Sequence, residues 1–137
     1  MTGELLDGAR FDLADWRGSV VTVNIWGSWC APCRAEAPDL QAAFDATEDL
    51  GVHFLGVDIR DSRDAATAFV KAFHIGYPSL FDPAGQVMLG FRDVNPNVVP
   101  STLLLDRQLR VAAVFRRRVT GRELAAALRA LAGETAA

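Results

Sequence analysis

The chain has 137 residues, half of them hydrophobic, which is enough to bury a core without cross-links or a structural metal. Its net charge of -3 and pI near 5.3 argue against nucleic acid as a partner, because such a footprint shows as clustered Lys and Arg on a basic domain. The start, MTGELLDGARFDLADW, has neither the basic opening nor the apolar run of a secretory signal, and the longest apolar runs, around Val20 to Ile25 and Leu103 to Leu105, fall far short of the roughly 18 residues of a membrane span.

Taken in chain order, a Trp-Arg-Gly-Ser turn signal leads into VVTVNIW, Val20 to Trp26, a β-branched run that reads as a buried strand. A helix is expected from Ala31 to about Leu50, with Leu40, Ala43, Phe44 and Thr47 at helical spacing and Pro38 as a kink. Gly51 to Asp58 reads as the next strand. Ala66, Phe69, Val70 and Phe73 then fall at i, i+3, i+4 and i+7, which predicts a second helix opened by Asp61 or Ser62. YPSLFDPAGQVMLGF predicts a short strand, an Asp82-Pro83-Ala84-Gly85 turn with no further role, and another short extended piece. PSTLLLDRQLRVAAVFRR reads as a hairpin turning near Arg107 to Leu109, and Arg116 to Arg118 as its solvated end. Thr120 and Glu123 form a capping box before a last helix that carries Leu124, Ala127, Leu128 and Leu131 on one face. Early crossover helices and a late hairpin predict one α/β domain over residues 1–137, its mixed sheet covered by helices on both faces.

Both cysteines, Cys30 and Cys33, lie in WGSWCAPCRAE, where the first strand gives way to the first helix. The carboxyl end of a strand is where open α/β sheets place their chemistry. Cys30 is expected at the start of the helix, near unpaired N–H groups and the positive end of the dipole, which favours thiolate. In such CxxC settings the outer thiol's pKa falls from ~8.5 to ~7 or below. Cys30 is therefore the expected attacker, partly exposed, and Cys33, one turn on, the buried resolving thiol. Zinc needs four ligands, or three and a water, and neither His53 nor His74 stands at ligand spacing. A purely structural disulfide closing so short a loop gains little. A peroxidase normally carries a lone cysteine after a Pro/Thr pattern, which is absent before Cys30. No metal and no cofactor are expected. Trp29 is expected to be exposed beside the thiols, with Trp26 turned into the core.

VTVNIWGSWCAPCRAEAP resembles the active-site segment of the thioredoxin superfamily, specifically its TlpA/ResA-like thiol-disulfide oxidoreductases, with Asn-aromatic-Trp before the motif and Glu-x-Pro after it. The likeness runs from LDGARFDLADWRGSVVTVNIW to the last helix. It implies a thioredoxin fold with a helix-and-strand insertion between Asp58 and Pro100. It also implies that VVPSTLLLD is the cis-proline loop, with Val99 and Pro100 meeting substrate. Asn24 stands where thioredoxin carries a buried aspartate. Glu36, three residues after Cys33, resembles the family's active-site glutamate and is the implied proton acceptor for Cys33; from spacing alone it is equally an acid in a helix's first turns.

Members of this kind reduce protein disulfides outside the cytoplasmic membrane, often in apocytochrome c during haem attachment. The resemblance thus implies a disulfide-bonded protein substrate, an upstream membrane thiol reductant, a monomer, and an extracytoplasmic site with any anchor upstream of Met1; a full-length protein starting there would be cytoplasmic. Ala31 and Pro32 add no side-chain donor between the cysteines, which favours the reducing direction. A disulfide oxidase or isomerase is the alternative, and a non-catalytic thioredoxin-fold binding module is a further one.

Overall fold

A computed structural model describes residues 1–91, 94–95 and 97–134. The chain opens on an antiparallel pair, β1 (Thr2–Glu4) and β2 (Arg10–Asp12), followed by a 3-10 turn, Leu13–Trp16, capped by Asp12. This pair is absent from the sequence reading, since three residues are too few to show a period of two. The expected elements follow. β3 (Val21–Trp26) is buried throughout, and α1 (Ala31–Thr47) continues through Pro38 into a 3-10 turn at Glu48–Leu50. β4 (His53–Asp58), α2 (Arg63–Ala72) and β5 (Ser79–Phe81) come next. The hairpin of β6 (Ser101–Leu105) and β7 (Val111–Phe115) leads to α3 (Gly121–Ala132), whose N-cap Thr120 accepts the Glu123 N–H at 3.1 Å.

The sheet order is β5-β4-β3-β6-β7, with β3, β4 and β5 parallel and β6 and β7 antiparallel to their neighbours. The crossovers from β3 to β4 and from β4 to β5 step the same way across the sheet, so right-handed connections put α1 and α2 on one face. The packing agrees: Trp26, Cys33 and Ala37 cluster with Ala66 and Phe69, and Leu40 with Leu104, Leu124 and Leu128. On the opposite face Val21, Val23, Ile25, Leu55, Val57 and Leu103 are covered by Leu13, Met88 and the N-terminal segment. Both faces are thus covered by helical segments, but unequally, with the three α-helices together and the 3-10 turns Leu13–Trp16 and Val87–Gly90 opposite. The insertion between Asp58 and Pro100 contains α2, β5 and the second of these turns; residues 92, 93 and 96 within it, like 135–137 at the end, lie outside the described residues.

The Asp82 region needs correction. After the Asp82–Gly85 turn the chain is not extended, because the Asp82 carboxylate accepts the N–H groups of Val87 at 3.0 Å and Met88 at 3.4 Å and winds them into the 3-10 turn. Asp82 is therefore more than a turn residue. The arginine run is exposed, as expected for a solvated strand end, and its surface ion pairs, Arg117 with Glu123 at 2.7 Å and Arg118 with Asp39 at 3.5 Å, reach from the end of the hairpin to α3 and α1. Among the described residues no helix is long and apolar enough to cross a membrane.

Candidate active site

β3 ends at Trp26, and four residues later Cys30 is the N-cap of α1 with an extended backbone. Its sulfur accepts the Cys33 N–H at 3.2 Å, the bond a Ser or Asp side chain usually makes at that position. Pro32 fits in the first turn, where its missing N–H costs nothing. Cys30 and Cys33 are joined in a disulfide, their Cα atoms 5.2 Å apart. In this oxidised state both are buried, Cys30 at 4% and Cys33 at 3% exposure, so Cys30 is less open than the sequence suggests. Its sulfur is turned onto the helix end, and the two cysteines belong to a buried cluster with Trp26 and Phe69 against which Val99 packs.

The loop ahead of Cys30 is held from several sides. The N–H and hydroxyl of Ser28 donate to the Asp61 carboxylate at 2.8 and 2.7 Å, and the Ser28 carbonyl accepts from Arg34 at 3.0 Å. The Trp29 indole N–H donates to the Ile59 carbonyl at 3.0 Å, and the Arg60 guanidinium lies 4.8 Å from the ring centre. Gly27 is required here because a Cβ would collide with the Trp29 indole. Trp29 remains half exposed at 49%, while Trp26 is buried and donates to Ser79 Oγ at 3.1 Å. In the sequence Asp61 reads only as a candidate cap for α2. The structure gives that role to Ser62, whose Oγ accepts the Ala65 N–H at 3.1 Å, and turns Asp61 back to the cysteine loop. Its position just beyond the carboxyl end of the neighbouring strand was the available signal.

Glu36 lies one turn after Cys33 and is fully buried. One oxygen accepts the Val119 N–H at 2.8 Å and the other the Asn24 side-chain amide at 3.2 Å. That amide also donates to the Ser101 carbonyl and to Thr102 Oγ1, which fixes which way Asn24 points. Burial pushes the Glu36 carboxyl up to about 7, against the pull of the Val119 and Asn24 bonds and of Arg118. A narrow cleft lined by Cys33, Asn24, Trp26, Phe69 and Tyr77 runs along the same side of α1. The Val99–Pro100 bond is cis and leads directly into β6, and the Val99 side chain reaches the cysteine cluster. The fold therefore gathers Cys30, Cys33 and Val99 in one cluster, with Trp29 at its rim and Glu36 beneath. His53 is a packing residue, stacked on Trp16 at 4.5 Å.

A dithiol that closes on itself at a helix N-terminus can pass two electrons to another disulfide or take them from one. The comparisons with known proteins point to the same chemistry. The profile of the AhpC/TSA family matches residues 1–114. The thiol-disulfide oxidoreductase ResA of Bacillus subtilis is 32% identical over 108 residues, covering 79% of this chain and 59% of that protein. ResA of Bacillus thuringiensis is 28% identical over 119 residues, covering 87% of this chain and 67% of that protein. Among solved structures, a secreted thiol-disulfide isomerase from Corynebacterium glutamicum superposes with a TM-score of 0.92 at 38% identity, over 98% of this chain and 84% of that one. A DsbF homologue from Corynebacterium diphtheriae gives 0.90 at 40% identity, over 96% and 83%. With its CxxC disulfide at the head of α1 and a five-stranded mixed sheet behind it, the chain belongs to the AhpC/TSA family within the thioredoxin superfamily, and is a domain of the thiol-disulfide oxidoreductase type.

Proposed function

We propose that the chain is the catalytic domain, spanning residues 1–137, of a reductant of protein disulfides. In the dithiol state the Cys30 thiolate attacks one sulfur of the substrate disulfide, which forms a mixed disulfide and releases the other substrate sulfur as thiolate. Cys33 then gives up its proton and attacks Cys30. The second substrate sulfur leaves, the domain keeps the disulfide, and two electrons have moved to the substrate. An upstream membrane thiol reductant restores the dithiol.

The observation that carries the thiol-disulfide exchange in this reading is Cys30 at the N-cap of α1 with the Cys33 N–H on its sulfur, an arrangement that supports a reactive thiolate on the outer cysteine. For the direction, Ala31 and Pro32 place no side-chain donor between the sulfurs. A negative charge on Glu36 would further disfavour thiolate and so the reduced form. Glu36, with its carboxyl near the working pH, is suited to take the Cys33 proton. Trp29 offers an apolar surface at the rim, and Val99 and Pro100 offer backbone to an extended substrate segment. The resemblance to ResA-like proteins extends the reading to an extracytoplasmic, tethered protein working as a monomer, with apocytochrome c as a substrate in haem attachment. The chain spans 59% of the Bacillus subtilis relative.

A second reading, oxidase or isomerase, is favoured by the name of the Corynebacterium glutamicum protein. Parallel assays separate the two. The reductant reading expects catalysed reduction of insulin with a thiol donor and little oxidation of a reduced unfolded protein. The reverse pattern would overturn it, and inactivity in both assays would leave a binding module.

A further inference from the structure

Asp58 ends β4 and is fully buried, yet among the described residues no hydrogen-bond donor reaches either oxygen of its carboxyl group. An ionised carboxylate there would be stripped of water and given nothing in return. What does lie within hydrogen-bonding reach is a second carboxyl group, that of Asp61. Two charged carboxylates in contact repel, so such a pair holds a proton. The surroundings say where it sits. Asp61 accepts three donors, the N–H of Ser28 at 2.8 Å, the Ser28 hydroxyl at 2.7 Å and the Ser62 N–H at 2.9 Å. Those bonds favour charge on Asp61, and their absence disfavours it on Asp58.

We propose that Asp58 and Asp61 form a carboxylic acid–carboxylate pair, Asp58 donating to Asp61, and that this pair is the brace that positions the Ser28–Trp29 segment from which Cys30 projects. The relay runs Asp58 to Asp61 to Ser28, and two residues on is the attacking sulfur. Asp58 stands opposite Trp26 in the β3–β4 register, so the brace joins the end of one strand to the loop leaving the other. Burial, and then Asp61 itself, push the Asp58 carboxyl up to about 9. Burial works against charge on Asp61 as well, but the bonds from Asp58, Ser28 and Ser62 hold it below the ordinary carboxylate range.

The other charged groups around the pair are committed elsewhere. Arg34 of α1 donates to the Ser28 carbonyl, Arg60 lies over Trp29, and Arg63 of α2 bonds Glu4 and the Leu5 and Leu6 carbonyls. On the β5 side, Asp82 gives its N–H to the Asp58 carbonyl and turns its carboxylate to Val87 and Met88. Glu36 faces Asn24 and Val119 instead, and the thiols themselves titrate in the reduced protein. Asp58 and Asp61 are thus positioning residues, and the inference rests on the reading of Cys30 as the reactive thiol only for its consequence.

The test is a carbon-13 titration of the side-chain carboxyls in the oxidised protein, where no thiol titrates, with the Ser28 amide followed in parallel. Asp58 is expected to stay protonated at pH 7 and to ionise near pH 9, with the Ser28 amide shifting in step. Asp58→Asn keeps a donor and removes the proton, so its Ser28 amide should show no step at high pH. In the reduced protein its Cys30 alkylation rate should lie closer to wild type than that of Asp58→Ala, which has no donor. An Asp58 that is ionised at pH 7, or the same high-pH step in Asp58→Asn, overturns the proposal even if Asp58→Ala fails to fold. If the titration is as expected but insulin is not reduced, the brace stands and the reductant reading falls.

Discussion

Replacing Glu36 by Gln should change how stability depends on pH, not merely its level. In the wild type the carboxyl moves from an ordinary 4.5 to about 7 on folding, chiefly by burial, which at ~1.4 kcal/mol per unit is worth roughly 3 kcal/mol. The sign follows from the raised folded value. The native state holds the proton more tightly than the unfolded chain, so this contribution is complete below about 4.5 and is lost as pH climbs to about 7. Gln does not titrate. It also fits imperfectly, because the Val119 N–H and the Asn24 amide both point donors at the site and Asn24 is fixed by Ser101 and Thr102. Its carbonyl can serve one donor while its NH2 faces the other, at a cost of ~1–3 kcal/mol. Urea unfolding of the oxidised proteins from pH 4.5 to 8.5 should therefore show Glu36→Gln weaker at the acid end, with the deficit closing or reversing by about 3 kcal/mol as pH rises. A wild-type-minus-variant difference that stays constant over this range would refute the reasoning. In the reduced protein the same substitution should slow resolution of the mixed disulfide and flatten its pH profile near neutrality.

Iodoacetamide should label Cys30 well before Cys33 in the reduced protein; faster or equal labelling of Cys33 would contradict the assigned order of attack. Trp29→Ala, which removes a half-exposed ring beside the disulfide, should raise KM for a protein disulfide more than it lowers kcat, and an effect confined to kcat would assign Trp29 to shaping the loop instead. Leu128→Ala opens a cavity in the fully buried cluster with Leu40, Phe54 and Leu104 and should destabilise the fold by ~2–5 kcal/mol in denaturant unfolding; a loss below about 1 kcal/mol would mean that α3 is not packed as described.

The parts legible in the sequence are those where one local signal dominates. Six consecutive buried residues in β3, the Thr120 cap and the CxxC segment each announce themselves within a few positions. What the sequence hid depends on partners far along the chain. Glu36 is recognisable by its spacing from Cys33, but the backbone donor that meets its buried carboxyl, the Val119 N–H, lies 83 residues away. Asp61 is equally plausible as a helix cap until the fold brings Ser28 to it across 33 residues. The extended piece expected after Gly85 failed for a local reason: Asp82 caps two N–H groups beyond its own turn, and nothing in the hydrophobic pattern marks that. The unequal coverage of the sheet faces follows from the direction of two crossovers, which element order alone does not give.

The central claim is the direction of electron flow, and the reduction potential of the Cys30–Cys33 couple tests it most directly. Equilibrating the protein in glutathione buffers of graded ratio and quantifying free thiols gives that potential. With helix-end dipoles and the Cys33 N–H as the support for the Cys30 thiolate, and neither Ala31 nor Pro32 adding a side-chain donor, the value should lie nearer the about -270 mV of thioredoxin than the about -120 mV of DsbA. A potential more oxidising than about -180 mV, the region of protein disulfide isomerase, would contradict the reductant reading and favour the oxidase or isomerase.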